Sequence, residues 1–311
     1  MPFEKVNINR HIIDRLGFDL KKINSGILQI KNSPRKVKQM PVEWSSNDEY
    51  LRVGPLAFIK YDFPDSVKEV RQRLGEDFLG KWGKNILFYV PQDPRWGIRG
   101  GPKAANWAPA PFISTYTVPV IAAMLFKGCA GQSVTDFGSG YGILALLALR
   151  LGAGRVHAIE KYEDAVYRAT GVLGVNGYSS ENIGPESAPI KFLNQSFGRT
   201  QIAEDPQSLG LPKEISKTAD MVVANIGAAY GSAHEDIIEA AGAWPKCKTL
   251  ILGGYTIPYY DNAHGERESI LDQMAAAGFV SQTEIEFRYV HGLSDRGADA
   301  WGSKFSFIGV K

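Results

Sequence analysis

From about residue 118 onward, the pattern of hydrophobic and polar positions predicts alternating helices and strands. Short apolar runs, typical of buried strands, occupy 134–137, 155–160, 190–193, 220–225 and 249–252. Segments with the apolar content or spacing of helices occupy 118–126, 143–151, 164–173, 233–244 and 266–277. A polar loop is expected at 198–217, and strands at 281–290 and 304–310 follow the last helix. The alternation predicts an α/β domain that ends in a pair of strands.

The first 110 residues have a different pattern. Apolar residues recur at helical spacing over 65–78, directly after Pro64, which is a good helix start. Strands are expected at 27–30, 56–61 and 85–90. The sequence therefore predicts an α+β accessory domain over 1–110, with a role in substrate recognition, and an α/β domain over 111–311.

The connector at 91–119 is rich in proline and aromatic residues, among them Trp107 and Tyr116. Proline is excluded from regular helix interiors. A long ordered loop usually serves as a lid or a binding surface. We expect the connector to act as a lid, to hold the two domains together, or to do both.

A glycine-dense turn, Gly138-Ser139-Gly140-Tyr141-Gly142, joins the strand that contains Asp136 to the next helix. Glycine has no Cβ, so the backbone can turn sharply and approach a ligand closely. The helix N-terminus offers free N–H groups to an anion. Glu160 ends the following strand, 18 residues after Gly142, where an acid can accept hydrogen bonds from ribose hydroxyls. The arrangement predicts a nucleotide-type ligand, and the alternative is a plain strand-to-helix turn.

The glycine spacing distinguishes between ligands. A dinucleotide fingerprint needs a third glycine at position 143, where this chain has Ile143. The order D-x-G-x-G-x-G resembles motif I of the class I S-adenosylmethionine-dependent methyltransferases. The resemblance implies a Rossmann-like seven-stranded sheet with an antiparallel last strand, and S-adenosylmethionine as the cofactor. It also implies that the glycine turn packs against the methionine moiety and that Glu160 holds the ribose. An NAD-dependent oxidoreductase is disfavoured by Ile143 and by the final strand pair.

The predicted cofactor site draws on the ends of several strands. Adenine is expected beside one of three polar residues after the third strand, with no choice made among them. Tyr116 and Trp107 are expected either to cover the methionine end or to enclose the acceptor. The predicted cofactor-binding residues are Asp136, Gly138, Ser139, Gly140, Gly142, Glu160, Lys161, Asn194, Gln195, Ser196, Asn225 and Tyr116.

Asn225 ends the fourth strand, so it should face the same crevice as the glycine turn. Its amide carbonyl could accept a hydrogen bond from an N–H nucleophile and so direct the lone pair. The alternative is a turn residue that satisfies its own backbone. Tyr230 and His234 are further catalytic candidates that could line the acceptor pocket, and His234 could instead be a helix-cap or surface residue.

Two short runs, Asn225-Ile226-Gly227-Ala228 and Gly142-Ile143-Leu144-Ala145, resemble the ribosomal-protein lysine methyltransferase (PrmA-like) family over about residues 134–280. This resemblance implies a lysine or N-terminal amine of a protein as the acceptor. The aromatic connector and the extra domain favour instead a small, largely apolar metabolite in a closed pocket. We expect the metabolite, with nitrogen as the favoured atom. The protein amine and a non-catalytic nucleotide-binding module are the alternatives.

Composition restricts the classes of binding partner and the cellular compartment expected for this protein. The net charge of +2 over 311 residues argues against a dedicated nucleic-acid binder. No apolar stretch has the length of a signal peptide or a membrane span, so a cytoplasmic protein is expected. Cys129 and Cys247 lie far apart, and no metal-ligand cluster is visible. The oligomeric state is left open.

Overall fold

A computed structural model gives the architecture of the protein. Towards the N-terminus it describes the backbone of six strands. The other described residues are 116–176, 178, 189–197, 209–226, 233–255, 258–261, 267–291 and 300–311. The helix predicted at 65–78 lies outside the described residues.

The described elements follow the predicted alternation. The strands are β1 Glu4–Val6, β2 Ile23–Lys31, β3 Val42–Trp44, β4 Tyr50–Val53, β5 Leu56–Lys60, β6 Ile86–Tyr89, β7 Ser133–Phe137, β8 Arg155–Glu160, β9 Ile190–Asn194, β10 Met221–Ala224, β11 Thr249–Tyr255, β12 Tyr259–Asp261, β13 Arg267–Ser269, β14 Ser281–His291 and β15 Ala300–Val310. The described helices are α1 Thr117–Lys127, α2 Ile143–Arg150, α3 Glu163–Val175, α4 Lys213–Thr218, α5 Ala233–Ala243 and α6 Ile270–Ala276.

The large sheet has the strand order β1-β2-β14-β15-β11-β10-β7-β8-β9. The strands from β11 to β9 in this order are mutually parallel, whereas β15 is antiparallel to both of its neighbours. Seven of these strands, β7–β11 with β14 and β15, form the sheet expected from the sequence, including its antiparallel last strand. The predicted Rossmann-like fold class is therefore confirmed.

Two N-terminal strands extend this sheet. β2 pairs antiparallel with β14, so that Ile30 stands opposite Ile285 and Leu28 opposite Phe287, and β1 pairs with β2. Strands β3–β6 form a separate four-stranded sheet in which β5 and β6 are parallel. The domain division at residue 110 stays a prediction, while β1 and β2 hydrogen-bond to the large sheet.

Hydrophobic clusters cover both faces of the large sheet. The side chains of a strand point alternately to its two faces. On β10, for example, Met221 and Val223 join the cluster that contains α1 and α2, and Val222 and Ala224 join the cluster that contains α5 and α6. The helices therefore cover both faces, and the carboxyl ends of the parallel strands stay available for a site.

Two predicted elements need correction. The helix expected at 266–277 begins only at Ile270, because 267–269 is the strand β13, which pairs with β12. Ser269 caps the helix by accepting a hydrogen bond from the Leu271 N–H at 3.2 Å. The loop expected at 198–217 contains α4, a short helix anchored by the buried side chain of Ile215. A single apolar residue carries no helical period, so the sequence pattern missed it.

Among the described residues, no helix is both long and apolar enough to cross a membrane.

Candidate functional site

The glycine turn between β7 and α2 depends on backbone conformations that favour glycine. Gly138, Gly140 and Gly142 have φ angles of +66°, +53° and +73°, all in the left-handed region. The Ser139 N–H donates to the Ile159 carbonyl at 3.0 Å, and the Gly142 N–H donates to the Ser139 carbonyl at 2.8 Å. The first bond joins the turn to the neighbouring strand β8, and the second closes the turn on itself.

The three glycines meet different surroundings. A Cβ at Gly138 would lie 2.8 Å from Ile226 Cγ2, and one at Gly142 would lie 3.2 Å from side-chain atoms of Ala169 and Phe192. At Gly140, by contrast, no described atom lies within 4 Å of the Cβ position. Gly138 and Gly142 therefore allow close packing within the protein, whereas Gly140 borders open space into which a ligand can fit.

Glu160, at the end of β8, faces the turn. Its Oε2 accepts a hydrogen bond from the Gly140 N–H at 2.9 Å, and its Oε1 accepts one from the Tyr162 N–H at 3.0 Å. The side chain is only 7% exposed. A carboxylate has about four lone-pair sites, so acceptor capacity remains beside Gly140, where a ribose acid was predicted.

Asp136 lies on β7, just before the turn. It is 1% exposed, and neither carboxylate oxygen has a hydrogen-bond partner within the described part of the chain. Burial raises the pKa of Asp136 to about 8; the Ala145 amide offsets part of this without completing a hydrogen bond, and the charge of Glu160 adds to the rise. A buried carboxyl group of this kind is stabilised by any donor or cation that reaches it.

The other predicted cofactor residues have varied contacts. Asn194 Nδ2 donates to the Glu160 carbonyl at 3.1 Å, which links the ends of β8 and β9. Gln195 Nε2 donates to the Gly210 carbonyl at 2.6 Å. Lys161 is exposed, with Nζ 4.7 Å from the Tyr162 ring centroid, and Ser196 is half-buried. Of the three adenine candidates, Asn194 and Gln195 thus both donate their amide N–H groups to backbone carbonyls.

Asn225 directly follows β10, at the same edge of the sheet as the glycine turn. Its Nδ2 donates to Thr117 Oγ1 at 3.1 Å. Its Oδ1 is buried and accepts no hydrogen bond from any described residue. A Cβ at Gly253 of β11 would lie 3.0 Å from this oxygen and 2.0 Å from Val120 Cγ2. The amide therefore lies between α1 and β11, with its donor group engaged and its acceptor group available.

The remaining candidates occupy different positions. His234 is 1% exposed in the first turn of α5 and packs edge-on against Tyr255, with ring centroids 6.0 Å apart. Tyr116 precedes α1, and its side chain is 37% exposed. Tyr230 and Trp107 lie outside the described residues. His234 thus belongs to the packed interior, and Tyr116 to the surface beside Thr117.

Sequence reasoning did not single out Thr117 or Gly253. Thr117 is one of several hydroxyl residues in the connector, and its contact with Asn225 joins positions 108 apart in sequence. Gly253 follows an apolar strand and belongs to no motif. Only the pair Gly253-Gly254 was a signal, since glycine inside a strand often marks close approach of another element.

No group of three His, Cys, Asp or Glu side chains in the described ranges is arranged to hold a metal ion.

Comparison with known proteins identifies relatives of this domain. Residues 122–230 match the family described as ribosomal protein L11 methyltransferase (PrmA). The ribosomal protein L11 methyltransferase of Pelotomaculum thermopropionicum is 34% identical over 179 residues, which are 58% of this chain and 46% of that protein. This chain thus spans about half the length of that curated relative. The predicted resemblance to class I methyltransferases of the PrmA type is confirmed.

Solved structures of similar proteins include the ribosomal protein L11 methylase of Lactobacillus delbrueckii subsp. bulgaricus. It is 18% identical, with a TM-score of 0.43, over 82% of this chain and 95% of that chain. Another is the precorrin-6y C5,15-methyltransferase of Geobacter metallireducens, 13% identical with a TM-score of 0.39, over 62% of this chain and 87% of that chain.

Proposed function

We propose that this protein is an S-adenosylmethionine-dependent methyltransferase that acts on an amine of a protein. The observation that carries the proposal is the space beside Gly140, bordered by the carboxylate of Glu160. The match of residues 122–230 to a methyltransferase family supports the same reading. This chain covers only 46% of the length of the matched relative, so the activity of that relative is proposed for this protein and not assigned to it.

The residues around the glycine turn fit the proposed cofactor. Gly140 leaves room that a side chain would fill, and Glu160 keeps acceptor capacity for ribose hydroxyls. The buried Asp136 carboxyl group would gain from a cationic or donor group at the site. In our proposal the cofactor, when bound, supplies a methyl group on a positively charged sulfur, which is a good leaving group.

The protein's own contribution to transfer would be orientation. Asn225 holds its donor group on Thr117 and keeps its carbonyl oxygen for an N–H donor. That oxygen would accept a hydrogen bond from the neutral acceptor amine and direct the nitrogen lone pair. Correct placement and exclusion of water can supply a large share of such a rate. An amine that is already neutral does not need a strong general base.

For the acceptor, the available support favours a protein amine over a small metabolite. The metabolite hypothesis depended on the aromatic connector and on the extra domain, and residues 91–115 of the connector lie outside the described residues. The name of the matched relative points to a ribosomal protein, L11. We therefore prefer the protein-amine alternative.

Calorimetric titration tests the cofactor. S-adenosylhomocysteine should bind to the purified protein with micromolar affinity, and NAD should not bind. Absence of S-adenosylhomocysteine binding would refute the proposed function.

A labelled-methyl assay tests the acceptor. Purified ribosomal protein L11 is incubated with the protein and isotopically labelled S-adenosylmethionine, and mass spectrometry locates the methyl groups. L11 with all its amines chemically acetylated is the matched control and should take up none, because an amide nitrogen is not nucleophilic. Binding of S-adenosylhomocysteine without transfer to L11 would refute L11 as the acceptor and leave a metabolite enzyme or a non-catalytic module.

A further inference from the structure

A lysine of this chain occupies the face of an aromatic ring beside the site. Lys304 Nζ lies 4.3 Å from the centroid of the Tyr116 ring. This distance is within the range of a cation–π interaction, in which the electron-rich ring face attracts an ammonium group. The Tyr116 side chain is also 37% exposed, so its ring is within reach of solvent. Tyr116 therefore already binds a primary ammonium group.

The pair lies on the same side of the sheet as Asn225. On β15, Lys304 and Ser306 point to one face, because side chains two apart share a face. Ser306 stands opposite Gly253 in the ladder, and the Cβ position of Gly253 is 3.0 Å from Asn225 Oδ1. Two residues of strand span roughly 7 Å, about the length of a lysine side chain.

Helix α1 links the ring to the amide from the other direction. Tyr116 immediately precedes Thr117, whose hydroxyl accepts the hydrogen bond from Asn225. Both routes, one through β15 and one through α1, bring the ammonium-binding ring next to the amide that would orient an acceptor nitrogen.

We propose that the Tyr116 ring is the subsite where the acceptor first binds as an ammonium ion, and that Lys304 occupies this subsite in the free protein. The acceptor loses its proton to solvent before its neutral nitrogen moves to Asn225 and accepts the methyl group. The proposal rests on the proposed function, since it assumes an amine acceptor. The acceptor then has to displace Lys304. Because Lys304 itself ends in a primary ammonium group on a flexible side chain, the subsite selects flexible primary amines. Lys304 acts as an internal competitor.

The cofactor also has cationic groups, so the Tyr116 ring could bind a cation of the cofactor or of the acceptor. The position of Tyr116 in the fold favours the acceptor. Tyr116 precedes α1 and contacts Lys304 of β15, on the side of Asn225, whereas Gly140 lies in the turn after β7 and Glu160 ends β8.

Fluorine NMR of protein labelled with 3-fluorotyrosine tests the subsite directly. The Tyr116 resonance is assigned with Tyr116→Phe, and n-butylammonium is titrated in the presence of saturating S-adenosylhomocysteine. The Tyr116 resonance should respond to n-butylammonium, and in Lys304→Met the midpoint should fall by about two- to thirty-fold, the range of a cation–π contact. The neutral n-butanol should leave the resonance unchanged.

Tyr178 supplies the matched control. It carries Arg150 over its ring at 5.5 Å, and it follows α3 at the opposite edge of the sheet. Its resonance should not respond to n-butylammonium. Equal midpoints in the wild type and Lys304→Met, or an equal response to n-butanol, would overturn the proposal.

A second experiment distinguishes the ammonium group of the acceptor from the sulfonium group of the cofactor. In calorimetric titrations, Tyr116→Leu should weaken n-butylammonium binding. It should leave unchanged the affinities for S-adenosylmethionine and for S-adenosylhomocysteine, whose sulfur is uncharged. Selective loss of S-adenosylmethionine affinity would assign the ring to the cofactor's sulfonium and overturn the acceptor subsite. These titrations involve no methyl transfer. Failure of the subsite proposal can therefore be distinguished from failure of the proposed function, which the labelled-methyl assay tests.

Discussion

Two parts of the site, which lie at the same edge of the sheet, are built in different ways. The loop half comprises Gly138–Gly142 and Glu160, and its contacts are made by backbone N–H groups between positions about 20 apart in sequence. The amide half comprises Thr117, Asn225 and Gly253, and its central hydrogen bond joins two side chains 108 positions apart. The first half is encoded locally, and the second exists only after α1 has packed against β11.

This difference predicts different responses to mutation. In the loop half, the backbone conformation and the space beside it do the work, so added side chains should damage ligand binding. In the amide half, side chains hold one another in place, so mutations there should act on packing and orientation. Variants in the two halves should therefore differ in whether they lose ligand affinity or stability.

The largest effect is expected at Gly140. Gly140→Leu should weaken S-adenosylhomocysteine binding by at least about 100-fold, or about 2.7 kcal/mol, because the new side chain fills the space beside the turn. Its left-handed backbone should also cost about 1–2 kcal/mol of stability. Calorimetry measures the first effect and urea denaturation the second.

Gly128→Leu is the matched control for that variant. Gly128 also has a left-handed φ, +75°, and no described atom lies within 4 Å of its Cβ position, but it follows α1 at the other edge of the sheet. It should lose at least as much stability, because its ψ of 158° lies in a region that only glycine readily adopts, and it should keep its affinity. Equal loss of affinity in both variants would refute a specific role for Gly140.

Glu160→Ala should weaken S-adenosylhomocysteine binding by about 1–3 kcal/mol, because a charged acceptor is lost. The variant also leaves the Gly140 N–H without its 2.9 Å partner. Glu160→Gln keeps one acceptor oxygen and should lose less. Unchanged calorimetric affinity in Glu160→Ala would assign the ribose to another residue.

Gly253→Ala tests the amide half and should act on stability. A Cβ there would lie 2.0 Å from Val120 Cγ2, so the variant should lose about 1–3 kcal/mol of unfolding free energy in urea. Val120→Ala removes the clashing methyl group. The double variant should therefore be more stable than the sum of the two single effects implies, and strict additivity would contradict the contact.

The pH dependence of stability tests the buried carboxyl group of the loop half. The folded pKa of Asp136, about 8, is above its ordinary value of 3.8, so folding favours the protonated form. The resulting stability is fully present below pH 3.8 and is lost as the pH rises to about 8. Asp136→Asn should therefore have a higher Tm than the wild type at pH 8, by several degrees, and the gap should close towards pH 4. A constant gap would place the Asp136 pKa outside this window.

The smallest effect is expected at Thr117. Thr117→Val removes the acceptor of the Asn225 Nδ2 hydrogen bond, so kcat for methyl transfer should fall by roughly five-fold, the worth of about 1 kcal/mol. Affinity for S-adenosylhomocysteine should stay unchanged, and Thr117→Ser should restore kcat. Loss of cofactor affinity would instead place Thr117 in the loop half.

Much of the fold was predictable because it depends on local patterns. A buried strand or helix imposes its own period on the sequence, so β8 was predicted to the residue and β7, α2 and β10 to within a residue or two. The helix at 266–277 was placed too early, since β13 exists only through its pairing with β12. The joining of β1 and β2 to the large sheet likewise depends on β14, more than 250 positions away.

The same division holds within the site. The sequence alone determined the glycine turn and the acid after the second strand, because left-handed backbone and strand ends have short-range signatures. Only the tertiary structure decided that Thr117 holds Asn225, that Gly253 must lack a side chain, and that Lys304 covers Tyr116. These contacts depend on how α1, β11 and β15 pack together, and packing between distant segments leaves no periodic pattern in the chain.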